Sequence, residues 1–108
     1  MKPTYLYKIL SLEEWDKSLN QKTLSLSYMD DKFIHLSKEE QLAHVTEKFW
    51  KNKEYVILKV QTEKLVGRLE YEANPGGSNL YYHLYEGHIP TNAVESTSVI
   101  TLPSHKEV

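Results

Sequence analysis

With 108 residues and 40% apolar content, the chain is long enough to bury one hydrophobic core and too apolar to remain disordered. It is therefore expected to form a single domain, with a core over about residues 4–102 and a tail at 103–108. A net charge of -2 supplies no dominant basic field and argues against a stable nucleic-acid complex, and no apolar run approaches the ~18 residues of a membrane span. No secretory leader is recognisable, and the absence of cysteine removes disulfides and thiolate metal sites, a pattern expected of a cytoplasmic protein.

Residues 4–10 are rich in aromatic and branched side chains and predict a strand with one charge, Lys8. Ser11 with Glu14 three residues on forms a capping box, and Leu12, Trp15 and Leu19 give the following helix an apolar face to about Asn20. Leu24 and Leu26 suit a short extended piece, and Asp30-Asp31 a turn. Phe33 to Leu36 predicts a second strand. Ser37 is expected to cap a helix over about 38–51, with Glu40 completing the box and Leu42, Val45 and Phe49 as its buried stripe. His44 falls opposite that stripe and is expected at the surface. Residues 55–61 are apolar on both alternate sets and predict a covered strand. A connection at 64–67 leads to an alternating strand at 68–72, and Asn74-Pro75-Gly76-Gly77-Ser78-Asn79 is the most loop-like stretch. Residues 80–85 give a further strand, His88 is expected in a loop, Pro90 opens one helical turn, and 94–102 gives the last strand. Strands cluster in the second half without long helices between them, so the expected class is α+β with largely antiparallel sheets and two main helices.

Histidine is an uncommon choice for a structural strand and a useful one for a site, since its proton affinity lies near neutral pH. Alternation places His35 on one face with Phe33 and Ser37, and His83 with Tyr81 and Tyr85. Lys8 shares its face with Leu6 and Leu10, so it either snorkels to an edge or points into a cleft. Glu70 and Glu72 lie with Arg68. Each of these has a plain structural alternative: a core histidine, a helix cap at Ser37, packing tyrosines, a solvated edge strand. Three chemistries can be compared. A metal site needs at least three ligands, and no compact ligand motif is present. Serine-based hydrolysis needs an exposed, base-activated serine, whereas Ser37 opens a helix with no Gly-x-Ser-x-Gly elbow. The third is a nucleotide site with basic and imidazole groups on phosphate or ribose.

Tyr7-Lys8-Ile9, Trp15, Phe33-Ile34-His35-Leu36-Ser37 with Gln41, Leu69-Glu70-Tyr71-Glu72, and His83-Leu84-Tyr85 with Ile89-Pro90 and Val94 together resemble the bacterial domain-of-unknown-function family 952, over roughly residues 4–101. The resemblance implies an ADP-ribosyltransferase-like split α+β fold with a nucleotide cleft between two small sheets. The Phe-Ile-His-Leu-Ser segment also looks like that of RNA 2′-phosphotransferases, which read His-x-His-Leu-Ser. The implied ligand is a small nucleotide of the NAD or ADP-ribose class, with NAD as the cofactor and ADP-ribosyl or 2′-phosphate transfer as the chemistry. Carried over residue by residue, Lys8, Ser37 and Tyr85 would bind ligand, and His35, His83 and Glu72 would be catalytic, Glu72 standing beside an oxocarbenium-like ribosyl centre. The chain departs from the family pattern at Lys8, where members usually carry histidine. It departs again at Tyr82, where they carry proline, and at Glu86, where glycine follows the tyrosine. A lysine binds phosphate as a point charge without imidazole's directional bonding. The alternative expectation is a non-catalytic small-molecule or protein-binding module that keeps the cleft.

Overall fold

The structure, a computed structural model, describes residues 2–103. Its strands are β1 (Tyr5–Ser11), β2 (Ile34–Leu36), β3 (Tyr55–Gln61), β4 (Val66–Ala73), β5 (Leu80–His88) and β6 (Val94–Ile100), and its α-helices are α1 (Leu12–Ser18) and α2 (Leu42–Phe49). Two antiparallel three-stranded sheets result, one in the order β1-β3-β6 and the other β2-β5-β4. The α+β class, the antiparallel pairing and the two helices are as expected. The expected tail, His105 included, lies from residue 104 onward outside the described residues.

Strand alternation builds the core. β1 and β3 each bury every second side chain, contributing Leu6, Leu10, Val56, Leu58 and Val60, while the second sheet adds Ile34, Leu36 and Leu84 to the same cluster. Each fully buried leucine or valine is worth about 1.5–3 kcal/mol relative to exposure. The sheets meet at one seam, where Tyr7 and Ser37 exchange two backbone hydrogen bonds of 2.8 and 2.9 Å. That pair sets β2 beside β1 and carries His35 towards Lys8.

Several local expectations are corrected. The Ser11 capping box forms, with Glu14 N–H donating to Ser11 Oγ and Ser11 N–H to Glu14 Oε1. Within α1, however, Ser18 is buried and Leu19 exposed, because Ser18 Oγ donates to the Glu14 carbonyl and accepts from Ser25 N–H. Ser37 is not a helix cap, since its backbone is committed to Tyr7. The helix starts one residue later, through a 3₁₀ turn at Glu39–Gln41, with Lys38 N–H donating to Gln41 Oε1. No residue of α2 is buried, so its apolar stripe does not enter the core. His88 ends β5 rather than lying in a loop, although it is exposed as expected for a surface residue.

Between β4 and β5 the register slips near Gly67, and Glu86 takes a left-handed φ of 52°. A Cβ on Gly87 would overlap the Val66 carbonyl oxygen, so only glycine permits this crossing of the two strands.

Candidate functional site

Lys8 is held on β1 between Leu6 and Leu10 and is only 4% exposed. Its Nζ lies 2.8 Å from Asp30 Oδ1 and 3.1 Å from the His35 carbonyl oxygen, donating to both. Asp30 ends a short 3₁₀ turn, Tyr28–Asp30, and its side chain is 1% exposed. The same Oδ1 accepts from His35 N–H at 3.0 Å and pairs with His35 Nδ1 at 3.0 Å. One buried carboxylate thus ties a lysine, an imidazole and a strand backbone together. Burial by itself would raise the Asp30 carboxyl. The His35 hydrogen bond and the Lys8 charge overcome this and hold it well below the usual carboxylate range. Burial lowers the Lys8 ammonium below the ordinary lysine value, against the pull of Asp30.

His35 is the exposed end of this arrangement, its side chain 38% accessible. An ionised carboxylate can only accept, so Nδ1 donates to Asp30 and Nε2 is left for a partner in the cleft. That cleft has a volume of about 400 Å³, within the range of ligand-sized pockets. Lys8, Asp30, His35 and Ser37 line one side, and Val45, Phe49 and Trp50 supply an apolar wall from α2 and its end. Asn74 and Tyr81 are also among the lining residues. Val45 and Phe49, two of the three stripe residues on α2 that were expected in the core, face this cleft instead.

The second histidine is placed differently. His83 pairs with His35 across β2 and β5 and with Glu70 across β4 and β5, but it is 0% exposed and lies under Phe33, whose ring stacks on it at 3.9 Å. Its Nδ1 bonds Glu72 Oε2 at 2.8 Å and its Nε2 lies 2.7 Å from Asn74 Oδ1. The Tyr85 hydroxyl donates to the same Glu72 oxygen. That hydrogen bond, followed by the one from His83, holds the Glu72 carboxyl below its ordinary value; the Tyr85–Glu72 bond in turn raises the Tyr85 hydroxyl above its own. Lys8, His35 and Ser37 therefore share the cleft, whereas His83, Glu72 and Tyr85 form an adjoining network that reaches it through Asn74. Among the described residues no three His, Asp or Glu side chains converge as a metal-ligand set.

Two polar lining residues that hold the histidines, Asp30 and Asn74, escaped the sequence reading. Asp30 resembles a surface turn residue in sequence, and its one signal was an acidic residue ahead of a histidine-bearing strand. Asn74 begins a turn in which Gly77 N–H donates to the Asn74 carbonyl at 2.8 Å and Gly76 takes a φ of 79°, and a loop signal carries no hint of a side-chain role.

The chain is similar to the protein CC0527 of Caulobacter crescentus. Against its X-ray structure the TM-score is 0.78 at 35% identity, covering 94% of this chain and 90% of that one. Against its solution NMR structure the TM-score is 0.71 at 31% identity, covering 94% and 89%. No curated protein matches the sequence. A family described as protein of unknown function (DUF952) matches over residues 9–97, a span that takes in β2, both histidines and Asn74, and the chain belongs to that family.

Proposed function

We infer that the cleft is a binding site for the nucleoside part of a small nucleotide of the NAD or ADP-ribose class, in a fold of the ADP-ribosyltransferase-like kind. The observation that carries this reading is His35, whose Nδ1 is fixed by buried Asp30 so that Nε2 meets the ligand in a cleft of about 400 Å³ with aromatic walls. Such a nitrogen suits a ribose hydroxyl, and Trp50 and Tyr81 suit a planar ring. Lys8 is engaged by Asp30 and the His35 carbonyl, so the phosphates of such a ligand would find no free cation in the lining. Affinity then comes from the nucleoside.

Binding without turnover is favoured over ADP-ribosyl or 2′-phosphate transfer by one feature. Stabilising positive charge at a ribosyl centre calls for an available carboxylate or other electron-rich group, a carboxylate being the strongest. Asp30 is the one carboxylate among the cleft-lining residues, and it is already bonded to Lys8 and His35.

The test is thermal denaturation with NAD, ADP-ribose, AMP, adenosine and nicotinamide. A ligand present at a hundredfold excess over its dissociation constant stabilises the folded state by about 2.7 kcal/mol. Adenosine is expected to shift the midpoint nearly as far as AMP, and His35→Ala to abolish the shift while the protein remains folded. No shift with any of the five at millimolar concentration rejects the reading.

A further inference from the structure

Asn74 stands between the cleft and the buried histidine. It is fixed from two sides, by the turn Asn74–Gly77 and by the 2.7 Å contact of its Oδ1 with His83 Nε2. His83 in turn is locked, since Phe33 covers its ring and Glu72 accepts from Nδ1 at 2.8 Å. The amide has two ends, and one is taken by His83. Among the described residues its Nδ2 has no protein partner, and Asn74 lines the cleft together with His35 and Ser37. We propose that Asn74 is a specificity-determining residue that presents its amide N–H groups to the cleft, and that the Glu72–His83 pair positions it so. This rests on the nucleoside reading above and sharpens it: the ligand must bring an acceptor, such as a carbonyl oxygen or an unprotonated ring nitrogen, to the Asn74 side while a hydroxyl meets His35.

The arrangement makes a specific demand on His83. With Asn74 Oδ1 as the proposed acceptor of the 2.7 Å contact, Nε2 donates there as Nδ1 donates to Glu72. Glu72 supplies the balancing charge beneath a ring that is otherwise shut off from water. Were Nε2 bare, the amide would turn over to donate to it, and Asn74 would offer its carbonyl oxygen to the cleft instead. His83 thereby decides the hydrogen-bonding sense of a cleft that it does not itself line.

Nitrogen-15 NMR of the ligand-free wild-type protein at neutral pH reads this directly. Protons on both His83 nitrogens, with a coupling through the hydrogen bond from Nε2 to the Asn74 side-chain carbonyl carbon, are expected. A bare Nε2 accepting from the Asn74 amide overturns the proposal, whether or not any ligand binds. A second arm measures adenosine affinity by calorimetry in Asn74→Asp, which keeps the oxygen on His83 but replaces the cleft-facing donor by an acceptor. A loss of tenfold or more is expected, against no change in the exposed loop control Asn79→Asp. Equal affinities in wild type and Asn74→Asp reject the role of Asn74 and leave the nucleoside reading standing. If none of the five ligands binds the wild-type protein, the nucleoside reading fails and the NMR result alone decides the geometry.

Discussion

Asp30 holds more of the site together than its position in a short turn suggests. Among the described residues it supplies the only counter-charge within hydrogen-bonding distance of buried Lys8, and it receives two hydrogen bonds from His35. Removing one partner of a buried ion pair costs about 3–5 kcal/mol, because the other charge remains desolvated. Asp30→Asn is therefore expected to lose stability on that scale in urea unfolding, and Lys8→Met/Asp30→Asn to recover much of it. A loss below about 1 kcal/mol in the single variant would show that the pair contributes little. The pH dependence has a definite sign. The folded-state value of Asp30 is depressed below its unfolded value, so its contribution is complete above the ordinary carboxylate range, about pH 3.9, and drains away as pH falls through the folded value. Stability of the wild type should fall on acidification with a slope that Asp30→Asn lacks.

At the scale of elements, α2 differs from β1, β2, β3 and β5, each of which buries side chains fully. Its sequence carries an amphipathic stripe, yet none of its residues is buried, and Val45, Phe49 and Trp50 form a cleft wall. A helix in that position is stabilised by little apolar burial and opens locally at low free-energy cost. Phe49→Ala is expected to cost under about 1 kcal/mol of stability while weakening adenosine binding, whereas Leu58→Ala in β3 should cost about 2–5 kcal/mol. Amide exchange in α2 should be faster than in β3 and slow on binding. Protection of α2 equal to that of β3 in the free protein would contradict this. The same contrast explains what could be read from sequence. The Ser11–Glu14 box and the alternation of β1 are local or periodic, and both form as expected, whereas β3, apolar on both alternate sets and expected to be covered on both faces, fully buries only one of them. Helical periodicity identified the apolar face of α2 but could not say whether core or cleft lay opposite. Asp30 meets Lys8 across 22 positions, a pairing that no local pattern encodes. Ser37 was misread because a serine ahead of a glutamate satisfies a capping pattern equally well when its backbone belongs to a strand bridge.

For the whole molecule the decisive contact is the seam between the sheets. The two sheets share one hydrophobic cluster, but the hydrogen bonds that set β2 beside β1 are the two exchanged by Tyr7 and Ser37. Lys8 follows Tyr7 directly, and His35 lies two residues before Ser37, so this backbone pair fixes the distance from Lys8 Nζ to the His35 carbonyl and to Asp30. The role of Ser37 can then be divided between backbone and side chain. Ser37→Ala keeps the bridge and removes only the hydroxyl, so it should leave the urea midpoint within about 0.5 kcal/mol of wild type. Any loss of adenosine affinity in this variant would report a ligand contact made by Oγ. Ser37→Pro deletes the N–H that the Tyr7 carbonyl accepts and leaves that carbonyl unpaired at a half-buried position, a cost of about 1–3 kcal/mol, and pulls the backbone off strand geometry as well. It should also abolish binding, because the Lys8–Asp30–His35 cluster loses its registration even where the core survives. Equal destabilisation by alanine and proline would mean that the hydroxyl, not the bridge, holds the sheets in register.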